Sequence, residues 1–257
     1  MSLKSPWSSR RPKLLVPEAE TLFISDLHLS PEQPQVVDAF IDFTRQRAPR
    51  AEALYILGDL FDAWIGDDND QSPYPVIRDA LSALSQQGTA VYLQHGNRDF
   101  LLGETFCDQC GAKLIGEEHV IDLYGQRTLL MHGDTLCTDD VAYQQARQQL
   151  RNPAFIDGFL AKSLDERRVI TAEYRKMSGE ATSLLADEIM DVNQQAVIDV
   201  MQKHRVSRLI HGHTHRQAIH QFEIDGESAE RIVLGEWHAG RGMLLSATAD
   251  GLSEERL

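Results

Sequence analysis

Residues 53–59 read ALYILGD. Five mostly apolar residues closed by glycine and aspartate are the pattern of a short strand buried on both faces and ended abruptly. Gly58 lets the backbone turn sharply and approach a neighbouring group closely. Asp59 places a carboxylate at that turn. A single Gly-Asp after a strand is commonly only a helix cap, but the same arrangement recurs on both sides of this one. Residues 21–25 (TLFIS) run into Asp26-x-His28, and residues 90–94 (AVYLQ) into His95-Gly96-Asn97. Residues 128–131 (TLLM) run into His132-Gly133-Asp134, and residues 207–210 (SRLI) into His211-Gly212-His213-Thr214-His215.

The segments between these strands set the fold class. Val36, Val37, Phe40, Ile41 and Thr44 recur at helical spacing, as do Ile77, Leu81 and Leu84. Strand, helix, strand, helix, strand implies parallel strands covered by helices, an α/β fold. Residues 120–123 and 128–131 flank Tyr124-Gly125-Gln126-Arg127 and predict a hairpin. Residues 139–203 read as helical, with sparse apolar positions in the first half: Leu150, Phe155, Ile156, Phe159, Leu160 and Leu164. The segment at about 139–190 is therefore expected to be a helical cap inserted over the domain. Residues 219–224, 231–234 and 243–247 complete the chain as antiparallel strands. The domain is expected over residues 21–257, preceded by a disordered arm over residues 1–20, which is basic and broken by three prolines.

The formal net charge of −14 argues against a general nucleic-acid binder. No apolar run approaches the ~20 residues of a membrane span. The N-terminus lacks the apolar stretch of a signal peptide, so a cytoplasmic protein is expected. Three cysteines, Cys107, Cys110 and Cys137, suit a reducing compartment. Cys107-x-x-Cys110 reads as a buried pair at a helix end, with a redox motif as the alternative.

Ligand sites in open α/β sheets form at the carboxyl ends of strands, so the five strand ends should converge on one edge. Clustered imidazoles in a core are costly unless each ring has a partner. The set that results is carboxylate, amide oxygen and imidazole, with no thiolate. That suits Mn²⁺, Fe²⁺ or Zn²⁺ in a reactive site better than a structural zinc.

In this order Asp-x-His, Gly-Asp, Gly-Asn-Arg-Asp, His-Gly-Asp and Gly-His-x-His resemble the calcineurin-like metallophosphoesterase superfamily. The resemblance implies an α/β/β/α sandwich and two divalent ions, Mn²⁺ foremost. One ion would take Asp26, His28, Asp59 and His215; the other would take Asp59, Asn97, His132 and His213, with Asp59 shared. His211 falls outside the motif and is expected to be a supporting residue. Longer stretches, at residues 23–29, 55–68 (YILGDLFDAWIGDD), 95–103 (HGNRDFLLG), 129–140 (LLMHGDTLCTDD), 190–194 and 210–216, resemble one branch of that superfamily. Its members cleave the diphosphate of a UDP-linked diacyl sugar in lipid A synthesis. That likeness implies a lipid-linked UDP-sugar as partner, peripheral contact with the inner membrane of a Gram-negative bacterium, and no nucleic acid; a monomer is expected. Catalytic roles would fall to Asn97, Arg98, His132 and His213. Asn97, Arg98, Asp140, Tyr143, Ser178, Thr182, Leu185 and His213 would line the substrate.

Three expectations follow for the neighbours of the ligands. Arg98 adjoins Asn97 and can grip a phosphate bidentately, the alternative being an ion pair with Asp99. Asp134 is a candidate acceptor that orients an imidazole. Leu185 replaces a lysine of related sequences, and Arg175 or Lys176 is expected to supply the missing charge. A soluble phosphoesterase acting on another nucleotide or small diphosphate is the other functional reading.

Overall fold

The structure is a computed structural model that describes residues 19–182 and 191–257. Most of the arm expected over residues 1–20 lies outside the described residues, as does Leu185.

The apolar runs form the strands expected of them: β1 (Thr21–Ile24), β2 (Ala53–Leu57) and β3 (Ala90–Gln94) pair in parallel. Helices α1 (Pro34–Gln46) and α2 (Tyr74–Gln86) connect them. A third helix, α3 (Glu104–Cys110), leads into a strand absent from the sequence reading, β4 (Ala112–Ile115), parallel to β3. The hairpin is β5 (His119–Leu123) and β6 (Gln126–Met131). After the helical segment come β7 (Arg208–His211), β8 (Ala218–Ile224), β9 (Glu227–Val233), β10 (Met243–Thr248) and a second unforeseen strand, β11 (Gly251–Arg256).

These strands make two sheets rather than one. The first has the order β11-β10-β1-β2-β3-β4, and the second β5-β6-β7-β9-β8. Their facing sides share one apolar layer, in which Phe23, Tyr55 and Leu57 meet Leu130, Ile210, Ile232 and Leu234. The alternate residues Leu22, Ile24, Leu54 and Ile56 point outward, under α1 and α2. On the far side Leu129, Met131 and Leu209 pack against Val197, Val200 and Met201 of α7 (Gln194–His204). Four layers result, α/β/β/α, and both faces of the central strands are buried. β9 pairs in parallel with β7 and antiparallel with β8, so the last strands are not uniformly antiparallel as expected.

Three helices occupy the described part of the segment expected to be a cap: α4 (Val141–Leu150), α5 (Pro153–Leu160) and α6 (Leu164–Thr182). The α6 backbone continues through Ser178-Gly179. The residues flanking this segment are tied together. Asn193 caps α7 through the amides of Gln195 and Ala196, and its side chain donates to both carboxylate oxygens of Asp139, 3.0 Å each.

Candidate metal centre

Five of the seven expected metal ligands leave their strands in the left-handed region: Asp26 (φ 54°), His28 (51°), Asp59 (51°), His213 (70°) and His215 (58°). Each such residue costs on the order of 1–3 kcal/mol unless its surroundings enforce it. Here they do. Amides of Leu27 and His28 donate to Asp59 O (2.9 and 3.0 Å), and Gly212 N donates to His132 O (2.9 Å). Backbone strain is thus concentrated where the side chains must turn toward one point.

That point lies where the carboxyl ends of β1, β2 and β3 in one sheet meet those of β6 and β7 in the other. Asp26 is fully buried. Its Oδ2 accepts from Ser25 Oγ (2.6 Å) and His213 N (2.9 Å), while its Oδ1 has no hydrogen-bond partner and lies 3.4 Å from His215 Nε2. Nδ1 of His28 is likewise buried without a hydrogen bond, 3.8 Å from Asp59 Oδ2. Asp59 Oδ1 lies 3.8 Å from His132 Nε2. On the other side Asn97 Oδ1 accepts from His132 Nε2 and His213 Nδ1, both at 3.0 Å. Donor atoms of Asp26, His28 and His215 lie within 4.8 Å of one another, as do those of Asp26, Asp59 and His132. Orphaned, buried lone pairs facing one another are poorly stable without a cation. These residues therefore fit divalent metal.

The protonation states of His28 and His213 suit ligation, whereas those of His132 and Asp59 require a bound cation to displace a proton. Burial pulls His28 down to about 3, with the Arg98 charge adding to the effect. Burial also pulls His213 down to about 4, so both rings are neutral and offer lone pairs. Burial would lower His132 as well, but the carboxylates of Asp59, Asp26 and Asp134 outweigh it and hold the ring near 9. Burial pushes Asp59 up to about 7. Desolvation opposes ionisation of Asp26, yet the nearby His215, His132 and His28 rings keep its carboxyl below the usual range.

Several neighbours differ from expectation. Arg98 does not pair with Asp99. The Asp99 carboxylate accepts from the amides of Gly96 (2.8 Å), Leu60 (2.8 Å) and Asp59 (3.3 Å), which binds the two turns carrying Asp59 and Asn97 together. Asp134 orients no imidazole. It accepts from Tyr143 Oη (2.8 Å) and Arg147 Nε (2.7 Å), and His132 instead donates from Nδ1 to Leu57 O (2.9 Å). Tyr143 lies beside the site, its ring 6.0 Å from that of His213. Asp140 caps α4, accepting from Tyr143 N (2.9 Å). His211 faces away from the other two histidines of its run and bonds the buried Arg231 at 3.1 Å. Ser178 and Thr182 lie on α6, and Leu185 lies outside the described residues. Cys107 and Cys110 are buried thiols, and burial raises the pKa of each, which leaves them unreactive.

Glu236 was not expected. Its Oε2 accepts from His215 Nδ1 (2.8 Å) and its Oε1 pairs with His238 (2.9 Å), which aims His215 Nε2 into the site. A signal for it exists, because Leu234-Gly235-Glu236 after β9 repeats the strand-Gly-acid pattern of residues 57–59. Glu236→Ala is expected to weaken metal affinity by about 10–100-fold, measured by calorimetric metal titration. Unchanged affinity would show that Glu236 merely neighbours the ligand.

The family model for calcineurin-like phosphoesterases matches residues 20–217. UDP-2,3-diacylglucosamine hydrolase of Cellvibrio japonicus is 50% identical over 233 residues, which covers 91% of this chain and 97% of that protein. The proteins of the same name from Serratia proteamaculans and Yersinia pseudotuberculosis are 49% and 48% identical, each over 90% of this chain and 96% of the relative.

Proposed function

This chain belongs to the calcineurin-like phosphoesterase family, and on that premise we propose that it hydrolyses the diphosphate of UDP-2,3-diacylglucosamine. The products are 2,3-diacylglucosamine 1-phosphate (lipid X) and UMP, and the pathway is lipid A synthesis. The observation that carries this reading is near-full-length identity of about half with relatives of that name. The buried donor cluster of Asp26, His28, Asp59, Asn97, His132, His213 and His215 supports a metal-dependent reaction.

Two divalent ions, Mn²⁺ by preference, would clamp a phosphoryl group, acidify a water and offset charge at phosphorus. Asp26, His28, Asp59 and His215 would hold one, and Asp59, Asn97, His132 and His213 the other. The remaining work belongs to side chains around them. Arg98, with its guanidinium 3.7 Å from Asp59 Oδ2, offers a planar fork to phosphate oxygens. The His132 ring keeps its orientation through Leu57 O. Tyr143 and Asp140 border the site from α4.

The cap lies beside this edge and exposes Phe155, Leu160, Val169 and Tyr174. Apolar side chains there suit acyl chains and a lipid surface. Among the described residues no helix is long and apolar enough to cross a membrane. We place the enzyme as a monomer on the cytoplasmic face of the inner membrane of a Gram-negative bacterium. Lipid-linked substrate is favoured over a soluble nucleotide because the relatives' name specifies it.

Hydrolysis in ¹⁸O-water tests the bond cleaved. Attack at the phosphorus next to uridine puts label in UMP and none in the sugar phosphate. Label in the sugar phosphate would reverse the placement of Arg98. Activity should be lost to chelator and restored by Mn²⁺, and it should prefer the diacyl over the deacylated UDP-sugar. Equal rates on the two would reassign the substrate to a soluble diphosphate.

A further inference from the structure

Arg98 has a partner that neither the sequence pattern nor the metal site explains. Asp62, three residues after Asp59, is 8% exposed. One carboxylate oxygen accepts from Arg98 Nη1 at 2.5 Å, and the other pairs with Arg175 Nη2 of α6 at 2.5 Å. We propose that Asp62 is a positioning residue, which sets the Arg98 guanidinium toward the phosphate and couples it to the cap through Arg175.

The backbone around Asp62 is fixed. Its amide donates to Leu29 O (3.3 Å), beside a bridge between Leu29 and Phe61, and Trp64 N donates to Arg98 O (3.1 Å). Helix α6 is fixed to the same loop at a second point. Arg167 is 5% exposed and grips Asp68 with both terminal nitrogens (2.6 and 2.9 Å), and its Nη1 also donates to Ile65 O (3.0 Å). Two arginines of α6 thus hold two carboxylates of the loop at residues 62–68. This gives physical content to the WIGDD stretch, which the metal ligands do not require. Asp68 anchors the cap, and Asp67 accepts from Trp64 Nε1 (3.0 Å), Gly103 N (2.9 Å) and Phe106 N (3.0 Å). The register of α6 then decides whether Arg175 reaches Asp62.

Exposure favours a ligand rather than a closed structural pair. The two guanidiniums face two carboxylates, Asp62 and, beside Arg98, Asp59 Oδ2 at 3.7 Å. The arginine side chains are 38% and 49% exposed while the side chain of Asp62 alone is 10% exposed. The cations therefore remain open to an anion, and the carboxylate is covered. Arg175 is also one of the two residues expected to compensate for Leu185, which lies outside the described residues.

The inference rests on the assignment of Arg98 to phosphate under the proposed function, and its test separates the two. Phosphate affinity of the full-length, Mn²⁺-loaded protein would be measured by calorimetry with inorganic phosphate. Turnover would be followed on bis(p-nitrophenyl) phosphate and on the diacyl UDP-sugar. Asp62→Ala and Arg98→Ala should each weaken phosphate binding about tenfold, the scale of one charge-assisted hydrogen bond. Because Asp62 acts through Arg98, the double variant should be no weaker than Arg98→Ala alone. Asp62→Glu should recover part of the loss. Arg175→Ala should raise KM for the lipid-linked substrate more than for the small diester. Metal stoichiometry and thermal unfolding control for folding, and Asp62→Asn replaces Asp62→Ala if the latter does not fold. Multiplying losses in the double variant, or wild-type affinity in Asp62→Ala, would overturn the proposal. If the coupling holds while the diacyl UDP-sugar is not cleaved, the substrate assignment falls and the role of Asp62 stands.

Discussion

Asp59→Ala is expected to reduce turnover by at least about 10³-fold, equivalent to about 4 kcal/mol of transition-state stabilisation. The reason is its place in the cluster. One oxygen lies 3.8 Å from His28 Nδ1 and the other 3.8 Å from His132 Nε2, so the carboxylate spans the two groups of donors. It also accepts from the Arg98 amide at 2.9 Å and faces the Arg98 guanidinium. His28→Ala and His215→Ala each remove a donor from one group and should lose less. Elemental analysis of metal content, together with rates at saturating Mn²⁺, checks this order. Equal losses in all three variants, with equal metal content, would remove Asp59 from its shared position.

Gly96→Ala is expected to come close to that loss without replacing any of the proposed ligands. A methyl group at Gly96 would fall 2.1 Å from Asp59 Oδ1 and 2.3 Å from Asp59 N. Neither can move freely. The amide is bonded to Asp99, and the carboxylate stands between His28 and His132. The variant should lose metal affinity and about 1–3 kcal/mol of stability, the range for forced overpacking. Gly116→Ala is the control, since a methyl there meets nothing within 4 Å. Metal titration and thermal unfolding of the pair decide the matter. A Gly96→Ala protein with full metal affinity would mean that the turn at residues 95–97 can shift without disturbing Asp59.

The central strands were legible because they are buried on both faces. Residues 21–24, 53–57, 90–94 and 208–211 then carry near-continuous apolar runs, and these end at once in Gly, Asp, Asn or His. The residue types that cluster at this edge were legible for the same reason, since a polar cluster at the end of a buried strand needs a partner. β4 and β11 were not legible. Both lie at sheet edges, where AKLI and GLSEER are largely exposed, and one-sided burial leaves a weak apolar signal.

Pairing across the fold belongs to the tertiary structure alone. The motif sets His211 apart from His213 but not where each ring goes; the turn at Gly212 sends one to Arg231 and the other to Asn97. Arg98 adjoins Asp99 in the chain but bonds Asp62, 36 residues away, because backbone amides of the neighbouring turns have already filled the Asp99 carboxylate. Glu236 reaches His215 only because β9 lies beside β7 in the second sheet. Periodicity reports how one strand or helix divides core from solvent. The partner of a buried charge is chosen by packing between distant segments: strand order within each sheet made that choice for Arg98, His211 and His215, and the stacking of the two sheets made it for His213 and Asn97.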